Sequence, residues 1–168
     1  RPSEVRLPQK PDLAHWTYPL PLRVGGRPNI YTLHDIVPLR LPYTTLDHKR
    51  RYLKLLRSLD RTADHFVTVS ECSKRDLIDI VGISPDRITN TYQSVEIPEK
   101  LLAKPEEQVA REIEGLARLG HKEYFLFWGS IEPKKNIGRM IEAYLVSKAS
   151  VPLVIVGAQA WKADQELQ

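Results

Sequence analysis

The chain has 168 residues, 42% of them hydrophobic, and a net charge of +4 at neutral pH, which places it among globular proteins with enough apolar material for one ordinary domain or two incomplete ones. No apolar run approaches the roughly 20 residues needed to span a bilayer, and Arg1 to Lys10 lack the apolar core of a signal peptide, so a cytoplasmic protein is expected. The charge excess sits in residues 1–98, with 15 Lys and Arg against 11 Asp and Glu, whereas residues 99–168 hold 10 of each; so mild a balance argues against nucleic acid as a partner.

Short β-branched and aromatic runs alternate with segments of helical period, the pattern of parallel strands joined by crossover helices, so the expected class is α/β. Strands are predicted at Asp12–Trp16 and Asn29–Leu33. A helix over Leu46 to Ala63 follows, with Tyr52, Leu56, Leu59 and Ala63 on one face and Arg50, Lys54, Arg57 and Arg61 on the other. Two readings of the cationic face stand: the solvated side of a core-packed helix, or a surface that meets anionic lipid or acceptor phosphates. Strand His65–Val69 leads into a helix from about Ser73 to Val81, with Leu77, Ile78 and Val81 inward and Gly82 placed to end it in a left-handed turn. The segment Ser84-Pro85-Asp86 turns into a strand at Arg87–Thr91. Cys72, the single cysteine, has no partner for a disulfide and no ligand cluster around it, so no metal site is expected.

From Pro98 to Pro105 the rhythm breaks, and the next helix carries Val109, Ile113, Leu116 and Leu119 before stopping at Gly120. Three parts are therefore expected: 1–98, a connecting segment 99–122, and 123–168. The last opens with strand Tyr124–Trp128, continues to strand Leu153–Val156, and ends in the start of another helix. Several of these strands are apolar enough for burial on both faces.

The stretch Tyr124-Phe-Leu-Phe-Trp-Gly-Ser-Ile-Glu-Pro-Lys-Lys-Asn136 carries the most chemistry. Asn136 is expected to cap the helix that displays Ile137, Met140, Ile141, Tyr144 and Leu145. The unpaired N–H groups and positive dipole end of that helix, with Lys134 and Lys135 beside them, make a seat for phosphate, and Gly129 lets a ligand approach the backbone. The competing reading is two solvent-facing lysines. His34 falls at the carboxyl end of a strand, where open α/β sheets place ligand-contacting residues; it reads equally as a turn or capping residue. Asp35 reads as a cap of the following turn or a cleft residue, Ser70 as a helix cap, and Glu71 as a cleft-facing residue. Neither a Ser-His-Asp arrangement nor a Walker lysine loop is present.

The run Gly129-Ser-Ile-Glu-Pro-Lys-Lys-Asn136 closely resembles the signature that opens the C-terminal domain of family-four, retaining GT-B glycosyltransferases. Upstream, Tyr31-Thr-Leu-His-Asp-Ile-Val-Pro-Leu39 is similar to the family's strand ending in His-Asp, and Ala63-Asp-His-Phe-Val-Thr-Val-Ser-Glu-Cys-Ser-Lys-Arg-Asp76 to its Val-Ser-Glu segment. Pro152-Leu-Val-Ile-Val-Gly157 is similar to the family's next strand. The resemblance implies two Rossmann-like domains of GT-B type facing across a cleft, both incomplete here, and a nucleotide sugar as donor substrate with no cofactor. It gives Lys135 the donor diphosphate, with Gly129, Ser130 and Lys134 beside it, and it gives His34 contact with the transferring sugar or acceptor. A glycan or lipid-linked acceptor, a donor such as GDP-mannose and a place at the inner face of the membrane go with it.

The chain departs from that pattern in several places. Ser130 stands where many members have arginine, and Gln93-Ser94-Val95-Glu96 replaces Asn-Gly-Val-Asp. The family's later paired glutamates would lie beyond Gln168, and its glycine-rich first loop has no counterpart. An inactive central fragment is therefore expected; the alternative is a non-catalytic nucleotide-sugar- or phosphate-binding or interaction module.

Overall fold

A computed structural model describes residues 1–167. The chain divides into two compact units, Arg1–Ser94 and Val95–Gln168.

The first unit runs β1 (Ser3–Val5), β2 (Ala14–Trp16), β3 (Leu22–Val24), β4 (Asn29–Thr32), α1 (Val37–Arg40), α2 (Lys49–Asp60), β5 (His65–Thr68), α3 (Glu71–Asp76) and β6 (Ile88–Asn90). Strands β2, β4, β5 and β6 form one all-parallel sheet in the order β2-β4-β5-β6, and β1 pairs with β3 in a separate parallel ribbon. Register aligns Trp16, Tyr31, Phe66 and Ile88 in a row across the sheet. Within it, the Trp16 and Tyr31 rings stack with centroids 6.2 Å apart, and Tyr31 and Phe66 meet at 6.3 Å. Leu56 and Leu59 of α2, with Leu77, Val81 and Ile83, complete the buried cluster around Tyr31 and Phe66. Burying each such leucine contributes about 1.5–3 kcal/mol.

Helix α2 begins at Lys49 rather than Leu46, because the Thr45 hydroxyl accepts the Asp47 N–H at 3.1 Å and holds that segment in a turn. Its far end is tied to β6 by Arg87. That guanidinium donates to the Asp60 carboxylate at 2.8 Å and to the Asp60 and Ala63 carbonyls at 2.8 and 2.7 Å, and it lies 5.7 Å from the centroid of the Phe66 ring. Arg50, Lys54, Arg57 and Arg61 all face solvent. After α3 the helix widens into a π-type turn over Leu77–Val81 and stops at Gly82 in the left-handed region, φ 87°.

Asn29 joins three strands. Its side-chain oxygen accepts from Trp16 Nε1 at 3.0 Å and from the Val24 N–H at 2.8 Å; its amide nitrogen donates to the Val24 and Arg27 carbonyls at 3.0 and 2.7 Å.

The second unit runs α4 (Glu99–Leu102), α5 (Glu106–Ala117), β7 (Phe125–Trp128), α6 (Ile137–Ser147), β8 (Leu153–Val156) and α7 (Ala163–Leu167), with β7 and β8 paired in parallel. Helix α5 ends earlier than Gly120: Arg118 takes a left-handed conformation, φ 53°, and Leu116, expected inside, is 91% exposed. The core gathers Ile131, Ile137 and Ala163, with Phe127, Met140, Ile141 and Ile155 packed against them. The parallel-strand α/β class expected from the alternating pattern is what both units show.

Candidate functional site

In the first unit, β4 and β5 lie side by side and in parallel, so the segments that follow them leave the same edge of the sheet. His34 is solvent-exposed there, with Nε2 3.3 Å from the Thr17 carbonyl. Asp35 accepts the Val37 N–H at 3.0 Å and so caps the turn that opens α1. Ser70 caps α3 by accepting the Ser73 N–H at 3.1 Å, and the Ser73 hydroxyl donates to the His34 carbonyl at 2.8 Å. Glu71 accepts from Asn90 Nδ2 at 2.7 Å. The structure thus brings His34, Asp35, Ser70 and Glu71 to one edge, with Asp35 and Ser70 occupied in holding helix ends.

Tyr52 adds to this edge by donating its hydroxyl to the Asp35 carbonyl at 3.1 Å. Burial, with Tyr18, Asp35 and Asp47 adding to it, pushes its phenol well above the usual range, so it stays a neutral donor. One residue that the motifs did not single out is Thr68, at the end of β5. Its hydroxyl is fully buried and has no hydrogen-bond partner among the described residues, a cost of about 1–3 kcal/mol. A threonine in the middle of Phe-Val-Thr-Val reads as ordinary strand composition, so the sequence carried no signal for it.

In the second unit, β7 delivers Gly129 with φ 154°, and its N–H donates to the Val156 carbonyl at 3.0 Å. The partner strand ends equally tightly: a Cβ on Gly157 would lie 1.8 Å from the Gly129 oxygen, so only glycine fits. Beyond these two glycines Ile131 bridges to Gln159, which fixes the origin of the loop that follows. Pro133–Lys135 form one tight helical turn. Asn136 then adopts a left-handed conformation, φ 55°, and makes no side-chain capping bond. Asn136 therefore corrects the sequence expectation. It stands at the cap position because asparagine tolerates that backbone conformation, and its amide does not satisfy the α6 N–H groups.

The two lysines of the turn differ. Lys134 Nζ lies 3.3 Å from the Glu132 carboxylate, which also accepts the Ser130 hydroxyl at 2.6 Å. Burial pushes the Glu132 carboxyl up, but the bonds from Ser130, Lys134 and Trp161 outweigh it and hold the group below the usual glutamate range. Lys135 is exposed and, among the described residues, makes no ion pair. Its stem runs past Gly129: a Cβ at Gly129 would lie 4.0 Å from Lys135 Cε. At the start of α6 one N–H is already taken, since that of Gly138 donates to Glu166 Oε2 at 3.2 Å.

Residues 4–97, more than half of the chain, match the model of Glycosyltransferase Family 4. The chain belongs to Glycosyltransferase Family 4. It is also 28% identical over 141 residues to the O-antigen chain mannosyltransferase B of Escherichia coli, a similarity that covers 80% of this chain and so extends past the family match. The chain spans 36% of that relative's length. Within the family match lie His34, Asp35, Ser70 and Glu71; Gly129, Ser130, Lys134 and Lys135 lie beyond it.

Proposed function

We propose that the chain serves a retaining GT-B glycosyltransferase that moves a sugar from a nucleotide-sugar donor to a hydroxyl of a glycan or lipid-linked acceptor. The observation that carries this reading is Lys135, exposed and without an ion pair among the described residues, whose stem passes Gly129 in the loop that follows a parallel strand. In such a transfer the bond between the anomeric carbon and the donor phosphate breaks, and a bond from that carbon to the acceptor oxygen forms. The departing diphosphate gathers negative charge and takes the acceptor proton. A positioned cation stabilises that charge where it develops, without a general base. His34, exposed at its own strand end, is assigned contact with the sugar or acceptor. The name of the Escherichia coli relative supports a mannosyl donor, which makes GDP-mannose the first donor to test.

The test is binding of guanosine diphosphate to this chain. Lys135→Ala should weaken it about tenfold or more, since a hydrogen bond to a charged group contributes about 1.5–3 kcal/mol, while circular dichroism stays unchanged. Equal affinity in the variant would remove the donor reading. A nucleotide-sugar panel then separates a transferase, which turns over, from a binding module, which does not.

The exposed stripe of Arg50, Lys54, Arg57 and Arg61 supports peripheral contact with an anionic membrane. Binding to vesicles containing phosphatidylglycerol should fall as salt rises from 0.05 to 0.5 M, by a Debye length that shrinks from about 14 to about 4 Å. Binding that ignores salt, or none at all, leaves the stripe as a solvated helix face.

A further inference from the structure

Residues 129–138 offer three features to an anion: the ammonium groups of Lys134 and Lys135, and the N–H groups that open α6. Internal carboxylates engage one of the lysines and one of those N–H groups. Glu132 lies 3.3 Å from Lys134, and Glu166 takes the Gly138 N–H at 3.2 Å. Glu132 is the less expected of the pair, because it is only 9% exposed. A carboxylate withdrawn from water is costly unless donors surround it. Here the Ser130 hydroxyl at 2.6 Å and the Lys134 ammonium do so from either side of it in sequence. The backbone confirms that the segment is held: the Lys135 N–H donates to the Glu132 carbonyl at 2.9 Å. One buried side chain thus ties down its neighbours on both sides, while Lys135 has no ion-pair partner among the described residues.

We propose that Glu132 is a positioning residue for the donor diphosphate, engaging Lys134 and pinning the segment from Ser130 so that Lys135 alone presents an unpaired ammonium. This rests on the reading of Lys135 as the diphosphate contact. A purely structural glutamate would steady the loop without setting the difference between two adjacent lysines. The proposal therefore turns on that difference.

The experiment is competitive acetylation of the chain at limiting reagent, with each lysine quantified by mass spectrometry. An ammonium engaged by a carboxylate is less available to the reagent and reacts more slowly. Lys135 should label about two- to fivefold faster than Lys134, the range set by ion pairs of up to about 1 kcal/mol. Glu132→Gln should bring the two rates together, and Glu132→Asp, with its charge drawn back by one methylene, should fall between. An unchanged ratio in Glu132→Gln overturns the proposal. If that variant loses its circular dichroism signal, the Glu132→Asp ratio decides in the same way.

Labelling in the presence of guanosine diphosphate separates this from the underlying reading. Lys135 should be protected and Lys134 not, whereas in Glu132→Gln both should be. A ratio that shifts without any protection of Lys135 overturns the donor reading alone. Protection without a shifted ratio overturns the role of Glu132 alone.

Discussion

The two units apply one architecture at different depths. In the first, β4 and β5 have strand neighbours on both sides, and Tyr31, Leu33, Phe66, Leu56, Leu59 and Leu77 are almost wholly buried. In the second, β7 and β8 pair only with each other among the described residues, and Phe125, Leu126 and Trp128 are 54, 58 and 83% exposed. Phe-Leu-Phe-Trp of β7 is as apolar as any run in the chain, yet it is the more exposed strand. Composition states a capacity for burial; neighbouring strands and helices decide whether it is used. A two-stranded sheet is marginal by itself and depends on the helices packed against it, so the two units should differ in how they respond to the same kind of damage.

The largest effect expected is on the deep core. Phe66→Ala should destabilise the first unit by about 3–5 kcal/mol, through lost burial and the cavity left behind, visible as a shift of the later of two urea transitions. Ile137→Ala, at the centre of the smaller core, should abolish the earlier transition and leave the later one in place. A single transition that both variants shift alike would show that the units do not unfold separately and would break the comparison.

A smaller effect should follow Gly157→Ala. A methyl group at 1.8 Å from the Gly129 oxygen forces the ends of β7 and β8 apart, at about 1–3 kcal/mol, the usual cost of overpacking. Hydrogen exchange at the Gly129 amide, bonded to the Val156 carbonyl, should accelerate while amides of β4 and β5 keep their protection. Unchanged exchange at Gly129 would mean the two glycines are not packed as tightly as the distance requires.

Much of this was legible in the residues. All six expected strands are present, most of them trimmed by a residue or two at their ends, and Gly82 ends its helix as its position suggested. Two strands escaped notice. β1 and β3 are three residues each, and Leu22–Val24 sits between Pro21 and Gly25, too short and too hemmed in to show a period. The end of α5 falls before the expected Gly120 because Arg118, a residue with no glycine-like signal, adopts the left-handed turn two residues earlier. At the candidate site, the lysines and glycines could be read from spacing. The pairing of Lys134 with Glu132 and the claim of Glu166 on Gly138 could not, because each depends on how the loop and α7 fold back, and that is set by packing rather than by local pattern.

Asn29 has a consequence for the ageing of the protein. All four hydrogen-bonding positions of its amide are in use, two accepting and two donating, in a site 2% exposed. Deamidation to aspartate would leave the shape almost unaltered but turn the two donated bonds, to the carbonyls of Val24 and Arg27, into oxygen facing oxygen. The damage would fall on the join between β3 and β4, since the bond accepted from Trp16 of β2 survives, rather than on any strand by itself. A stored sample should therefore lose the attachment of β3 to the sheet before it loses the sheet.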